Sequence, residues 1–389
     1  MAIVTEREIL SQPSWVIASD CVEMAVTRLG AHMAPVSFYH HDNPVQPYYI
    51  SPWQGEESTL EPGRSEIPLR GDFFCMPFGA DPNPSAAEKH PAHGETSGQT
   101  WRLAGAENSG AVTSLRVSLE TKARQGTVTR TYSLVNGENV VYDCTSIRGF
   151  AGPVTFAHHA VVRSPQAERA LLLSTSPLAF GLVYPAPFGD PAAGEYQSLR
   201  IGAEFADLSR VPSIFHDQPE QDCSSYPARR GFTDLLQLAN SPHTQGPAWT
   251  AAVNTAEDYL WFALKDVRIL PSVMVWMENH GRHGAPWNGR NCALGLEDAC
   301  TYFDQGIPAS SRTNPLSSRG IRTHHQLSGD SFEVRYIQGV IKTPTGFGRV
   351  VSAAFSASAV TFSSANGMSI SGAVQPGFLT GEPLIPSAR

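Results

Sequence analysis

AVTSLRVSLETKARQGTVTRTYSLV, residues 111–135, is the stretch on which the fold turns. In TSLRVSLE (113–120) and TVTRTYSL (127–134) apolar and polar side chains alternate. That period of two belongs to strands with one face buried. The Lys-Ala-Arg and Gly between the runs suit a hairpin. Outward from there, TWRLAGAEN (100–108), NVVYDCTSIRGF (139–150) and PVTFAHHAVVRS (153–164) continue as consecutive antiparallel strands. WVIASDCVEMAVTRLGAHMAPVSFY (15–39) is strand-rich with a bend at Gly30, and GDFFCMPFG (71–79) is a short apolar run broken by Pro77 and Gly79. Further runs lie at 269–278, 291–297, 331–342 and 347–362. The helix candidates are few: EREILSQ (6–12), ended by Pro13, and FTDLLQLAN (232–240); AEDYLWFALKD (256–266) is ambiguous. Residues 52–70 are polar and turn-rich, and residues 170–230 are irregular. No period of 20 to 50 residues marks a propeller or solenoid. The expectation is an all-β, mainly antiparallel chain, forming one large β-sandwich over 1–389 with few short helices.

Composition points the same way. The 33 glycines and 30 prolines are scattered, which suits many turns between strands better than long helices. Net charge is −8 and the acidic residues are spread out, so neither a charged tail nor a nucleic-acid surface is implied. No apolar run reaches the roughly 18 residues of a membrane helix, and MAIVTEREILSQPSW lacks the basic start and apolar core of a signal peptide. A cytoplasmic protein without membrane contact is expected. The cysteines at 21, 75, 144, 223, 292 and 300 form no C-x-x-C and read as reduced, mostly buried thiols.

Three segments combine ionisable groups with turn residues. They are HPAHGETSGQTW (90–101), FAHHAVV (156–162) and WMENHGRHGAPWNGRNCALGLEDACTYF (276–303). In the third, Glu278, His280 and His283 raise a metal question, but Gly281, Gly284 and Pro286 oppose a helix that would place them on one face, and H-E-x-x-H is absent. The pairs His40–His41 and His324–His325 offer one ligand per strand face. No metal is expected. Neither G-x-S-x-G, nor a P-loop, nor G-x-G-x-x-G occurs. What remains is acid–base chemistry by histidine and a carboxylate, with Trp101, Trp276 and Trp287 as apolar surfaces on which sugar C–H faces could pack.

In chain order these segments resemble the galactose mutarotase-like superfamily, and most of all aldose 1-epimerases and hexose-6-phosphate mutarotase-type proteins. VEMAVTRLGAHMAPVSF (22–38) is similar to the family's opening hairpin, and RGDFFCMPFGADP (70–82) to its Gly-rich apolar segment. PAHGETSGQTW (91–101) resembles its His-Gly loop, PVTFAHHAVV (153–162) the strand of its second histidine, and ALGLEDACTYF (293–303) the strand of its catalytic glutamate. The resemblance implies a large β-supersandwich that interconverts the α and β anomers of a free sugar without a cofactor, as an isomerase. It casts Glu297 as base and His159 as acid, with His158 the rival for that place, and His93 binding a hydroxyl or sharing the proton transfer. Arg70, Trp101, His158, Trp276 and Arg290 would contact the substrate. The partner is a small-molecule sugar; a homodimer is compatible with the resemblance. Asp234 and Asp298 both stand as candidates for the family's sugar-binding aspartate. Where sugar-phosphate members carry an arginine, four residues after the first histidine, this chain has Ser97. Aromatic followers of the second histidine are replaced by Ala160 and Val161. Two other functions suit the same sandwich: a carbohydrate-binding or regulatory protein without chemistry, and a polysaccharide lyase-like enzyme.

Overall fold

A computed structural model of the chain describes residues 3–80 and 88–385. Asp81 and Pro82, the end of the 70–82 segment, lie outside the described residues. Two large antiparallel sheets dominate, one of eleven strands and one of nine. The nine-stranded sheet contains Arg102–Asn108, Val112–Thr121, Gly126–Val135 and Val140–Arg148 side by side in chain order. The alternating residues behave as the pattern requires: Leu115, Val117 and Leu119 turn inward, as do Val128, Tyr132 and Leu134. A three-stranded sheet (Val350–Phe355, Ala359–Ser364, Ser369–Ala373) packs on the outer face of the nine-stranded one, where Phe362 meets Trp249 and Phe262. Among the described residues there is one α-helix, Gly306–Ser311. None of their helices is long and apolar enough to cross a membrane.

Two expected helices are strands. Thr5–Ile9 pairs with Gln12–Ala18, and Leu10 and Ser11 turn the chain between them at φ 47° and 61°. The charged residues of EREI leave this edge strand exposed, which is where charge belongs on a sheet edge. Phe232–Asn240 is a central strand, paired on both sides and buried along nearly its whole length. A short apolar run cannot be assigned by periodicity when both faces are covered. Tyr259–Lys265, the ambiguous segment, is also a buried strand.

The middle of the eleven-stranded sheet is built from Asp72–Cys75, Phe156–Arg163, Cys292–Cys300, Ser272–Asn279 and Phe232–Asn240, adjacent in that order. Both its faces are covered. Leu236, Val275, Leu296 and Phe74 point between the sheets. Leu235, Met274, Trp276, Ala293 and Phe73 point to the opposite face, which loops cover. The six cysteines are unpaired, three buried and three half-buried.

The space between the sheets is not wholly apolar. Arg130 is fully buried and bonds Asp143 at 2.5 Å and Asp72 at 3.1 Å. His158 Nδ1 lies 3.2 Å from Asp72 and its ring stacks on Tyr336 at 4.1 Å. Ligand atoms of Asp72, Asp143 and His158 fall within 4.8 Å of one another. The Arg130 guanidinium already sits on both carboxylates, so it supplies the positive charge there. Next to this cluster, Lys265 Nζ lies 2.5 Å from Asp298, whose other oxygen accepts from Tyr336 at 2.6 Å. A buried pair broken on one side leaves a charge without a partner and costs about 3–5 kcal/mol, whereas replacing both members by apolar groups is often nearly neutral. Lys265→Met should therefore lower the unfolding free energy by about 3–5 kcal/mol in urea titrations. The double variant Lys265→Met with Asp298→Leu should recover more than half of that loss. Equal losses in both variants would mean that Lys265 contributes packing rather than charge.

Candidate functional site

Antiparallel pairing sets His159 of Phe156–Arg163 directly opposite Glu297 of Cys292–Cys300. Both side chains point to the loop-covered face. His159 Nε2 lies 3.3 Å from Glu297 Oε1. Phe73, opposite His159 on its other flank, stacks on the imidazole at 4.4 Å and is itself stacked by His32 at 4.0 Å. That stack fixes the plane of the catalytic-candidate ring. Gly295 leaves room for the neighbouring indole: a Cβ there would approach Trp276 Cβ to 3.0 Å.

The His-Gly loop delivers a third group. His93 and Gly94 both take left-handed backbone, φ 63° and 76°. Gly94 is needed, because a Cβ at this position would meet the Met76 carbonyl at 2.0 Å. A histidine in this conformation is uncommon and marks a position held by its surroundings. Those surroundings are specific. Glu95 accepts the backbone N–H groups of Lys122 and Ala123, Thr96 Oγ1 accepts that of Met76, and Trp101 Nε1 donates to the Thr96 carbonyl. The loop thereby brings the His93 ring to 5.4 Å from the His159 ring, edge-on.

These groups line one cavity of about 210 Å3, together with Arg64, Glu66, Phe78, Phe188, Met274, Trp276, Arg282, Trp287 and Asp304. That is smaller than the roughly 300–1,000 Å3 of sites for drug-sized ligands. Three indoles run edge to face from its floor to its rim: Trp276 to Trp287 at 5.5 Å, and Trp287 to Trp53 at 4.9 Å. Five polar atoms of the lining are buried without a hydrogen-bond partner among the described residues: His93 Nδ1, His159 Nδ1, Trp276 Nε1, Arg282 Nε and Asp304 Oδ1. Buried polar groups are ordinarily paired, so their concentration around one small cavity suits a ligand rich in hydroxyls.

Electrostatics follow from burial. Loss of water holds the His159 imidazole well below its usual range, and the nearby His93 adds to this. Burial also lowers His93, against the opposing pull of Glu66 and Asp304. The Glu297 carboxyl is pushed well above the ordinary glutamate range by burial and by Asp304. Burial would raise Glu66 too, but the Arg64 guanidinium bonded to it prevails and keeps it below the usual value.

Of the residues singled out in the sequence, His93, His159, Trp276, Trp287 and Glu297 line the cavity; Arg70, Trp101, His158 and Arg290 do not. Arg70 is buried, its guanidinium spent on the carbonyls of Ile9, Leu10 and Pro68 and on Gln54. Trp101 belongs to the core and braces the His93 loop from behind. His158, one residue from His159, necessarily faces the other way, into the cluster around Asp72. Arg290 makes two 2.6 Å bonds to Glu56 outside the cavity. Neither candidate aspartate reaches it: Asp234 accepts from the Ser198 and Leu199 backbone and the Ser198 hydroxyl, and Asp298 is paired with Lys265. Arg64, Glu66, Phe188, Arg282 and Asp304 were not singled out by the motifs. The first four sit in segments without periodicity; Asp304, seven residues beyond Glu297, could have been sought as the next carboxylate after the strand.

No protein-family model matches the sequence, and no curated protein matches it. Solved structures do match in shape. A candidate mutarotase from Salmonella typhimurium superposes with a TM-score of 0.56 at 11% identity, over 87% of this chain and 94% of that one. A candidate aldose 1-epimerase from Klebsiella pneumoniae gives 0.56 at 13% identity, covering 87% and 83%. A galactose mutarotase related enzyme from Lactobacillus acidophilus gives 0.52 at 11%, covering 85% and 98%. Identity this low establishes likeness of architecture and leaves chemistry to the side chains. With its two stacked antiparallel sheets aligned to these structures over most of its length, the chain has the galactose mutarotase-like fold.

Proposed function

We propose that the protein interconverts the α and β anomers of a free aldose, an isomerase of the aldose 1-epimerase kind working by acid–base catalysis. The observation that carries this reading is the His159–Glu297 contact at the floor of a small cavity ringed by unpaired polar atoms. Anomerisation needs one base and one acid at once. Glu297 as carboxylate takes the proton of the C1 hydroxyl while His159 as imidazolium gives one to the ring oxygen. The C1–O bond to the ring breaks, the C1–C2 bond turns, and closure on the other face returns both protons. His93 binds or polarises a hydroxyl beside the reacting centre, and Trp276 and Trp287 supply surfaces for the C–H face of the ring.

Charge balance supports a free sugar over a phosphorylated one. Arg64 and Arg282 are offset in the same lining by Glu66 and Asp304. Ser97 is fully buried, bonds the Gly94 carbonyl and lies outside the cavity. A cavity for one ring also favours this reading over a polymer-cleaving lyase, which needs an extended groove.

Saturation-transfer NMR on a panel of free aldoses should show accelerated exchange between anomers with the protein present. Glu297→Gln should cut that exchange by about 10²–10⁴-fold, the usual contribution of a positioned general base, with sugar binding retained. Near-normal exchange in the variant would remove Glu297 from the mechanism.

The pair also dictates the pH dependence. In its net-neutral state it holds one proton, and moving that proton from Glu297 to His159 creates the base and the acid together. Adding a second proton charges His159, which burial disfavours, so the acidic limb of kcat/KM should lie below the ordinary imidazole value of about 6.5. Removing the proton ionises Glu297, which burial also disfavours, so the alkaline limb should lie far above the ordinary glutamate value of about 4.3. Both limbs belong to the pair rather than to one residue. Initial rates corrected for buffer catalysis would test this; an acidic limb at or above about 6.5 contradicts it.

A further inference from the structure

We infer that Asp304 is the specificity-determining acceptor of the site, gripping one hydroxyl of the sugar; the inference rests on the anomerase reading above. The strand that carries Glu297 ends at Cys300, and the next four residues form a bend and a turn. Phe303 takes left-handed backbone, φ 47°. The bend is pinned from three directions. Gln237 Oε1 accepts from Phe303 N–H at 2.9 Å, Ser310 Oγ accepts from Tyr302 N–H at 3.0 Å, and Thr301 Oγ1 donates to the Phe303 carbonyl at 2.7 Å. The Asp304 carbonyl is tied in turn to Ala80 N–H at 3.1 Å. Asp304 is thus on a short turn whose backbone has little freedom, and its side chain lines the cavity.

Its Oδ1 is buried and has no hydrogen-bond partner among the described residues. An oriented acceptor with one oxygen free is what a hydroxyl donor requires, and hydrogen bonds to an ionised acceptor are the stronger kind. The groups that face it are Arg282, Arg64, His93, Glu66 and Glu297, all in the same lining. With the His159–Glu297 pair net neutral in its one-proton state, the two guanidinium groups offset Glu66 and Asp304 itself, so a neutral donor fits better there than an ammonium. The alternatives in the fold are committed elsewhere, since Asp234 is saturated by Ser198 and Leu199 and Asp298 by Lys265.

The test is a cycle between Asp304 variants and monodeoxy analogues of the best sugar found by NMR. Wild-type protein should lose about 10- to 100-fold in kcat/KM for one analogue, the one lacking the gripped hydroxyl. Asp304→Ala should lose a similar factor on the parent sugar and show no further loss on that analogue, while still discriminating at the other positions. Asp304→Asn keeps an acceptor oxygen without the charge. It should show a reduced loss at the same hydroxyl, and it stands in if the alanine variant fails to fold by circular dichroism. Folded variants that discriminate among all analogues as wild-type does would overturn the inference while leaving the anomerase reading intact. A wild-type protein that accelerates no sugar's exchange would overturn that reading, and the inference with it.

Discussion

One register on two neighbouring strands organises the molecule. The pairing that sets His159 opposite Glu297 also sets His158 opposite Asp298. Consecutive residues on a strand face opposite ways, so the first pair enters the cavity and the second enters the space between the sheets. A slip of one residue would exchange them, placing Glu297 against Lys265 and leaving Asp298 beneath the indoles. The inner pair helps to hold the register, because His158 and Asp298 each have partners on the opposite sheet: Tyr336 for both, Lys265 for Asp298, and Arg130 through Asp72 for His158. Buried ionic groups are a weak source of net stability, but they penalise every arrangement in which their partners are missing. In this sandwich the buried charges act as a key for the alignment that the outer pair needs.

The outer pair works within the same low-polarity sheet. Phe73 and Cys75 flank it on one side and Met274 on the other, all buried. Such a setting disfavours separate charges on His159 and Glu297, which is why both depart from their ordinary ranges in opposite directions. It does not disfavour a proton moving between them, since the net charge of the pair stays the same. An apolar floor with two protonatable groups in contact can therefore hold an acid and a base without either being ionised beforehand, which is the state that the proposed anomer exchange would draw on.

Much of this architecture was legible in the sequence, for a physical reason that also explains the failures. Alternation in 113–135 identifies half-buried strands because one face contacts apolar neighbours and the other does not. Where both faces are covered, as in FTDLLQLAN, the period disappears and helix and strand read alike. For the site, the ordered motifs grouped His93, His159, Trp276 and Glu297, which share one cavity. Arg70 and Trp101 were singled out by proximity to those motifs, yet their side chains point away and support the segments from beneath. Arg130 passes unnoticed within an alternating strand, although it is a buried charge on the face where Val128 and Tyr132 lie. A single ionic residue on an apolar face has no local signature; its meaning lies in Asp72 and Asp143, far away in sequence.

The cavity wall divides along the same line. Its floor, Phe73, His159, Leu235, Met274, Trp276 and Glu297, comes from adjacent strands, where register fixes each side chain to a fraction of a residue spacing. Its rim, Arg64, Glu66, His93, Phe188, Arg282, Trp287 and Asp304, comes from connections. Strands tolerate little change without disturbing both sheets, whereas connections vary freely so long as their anchors hold. The floor fixes where His159 and Glu297 stand, and the rim shapes the opening above them. His93 is the exception that joins the two. It is a rim residue by position but is clamped, through Glu95, Thr96 and Trp101, to the nine-stranded sheet and to the strand of Phe73. A histidine held in left-handed backbone by a loop bonded in this way has a place as fixed as any strand residue, and that fixity suits the role proposed for it.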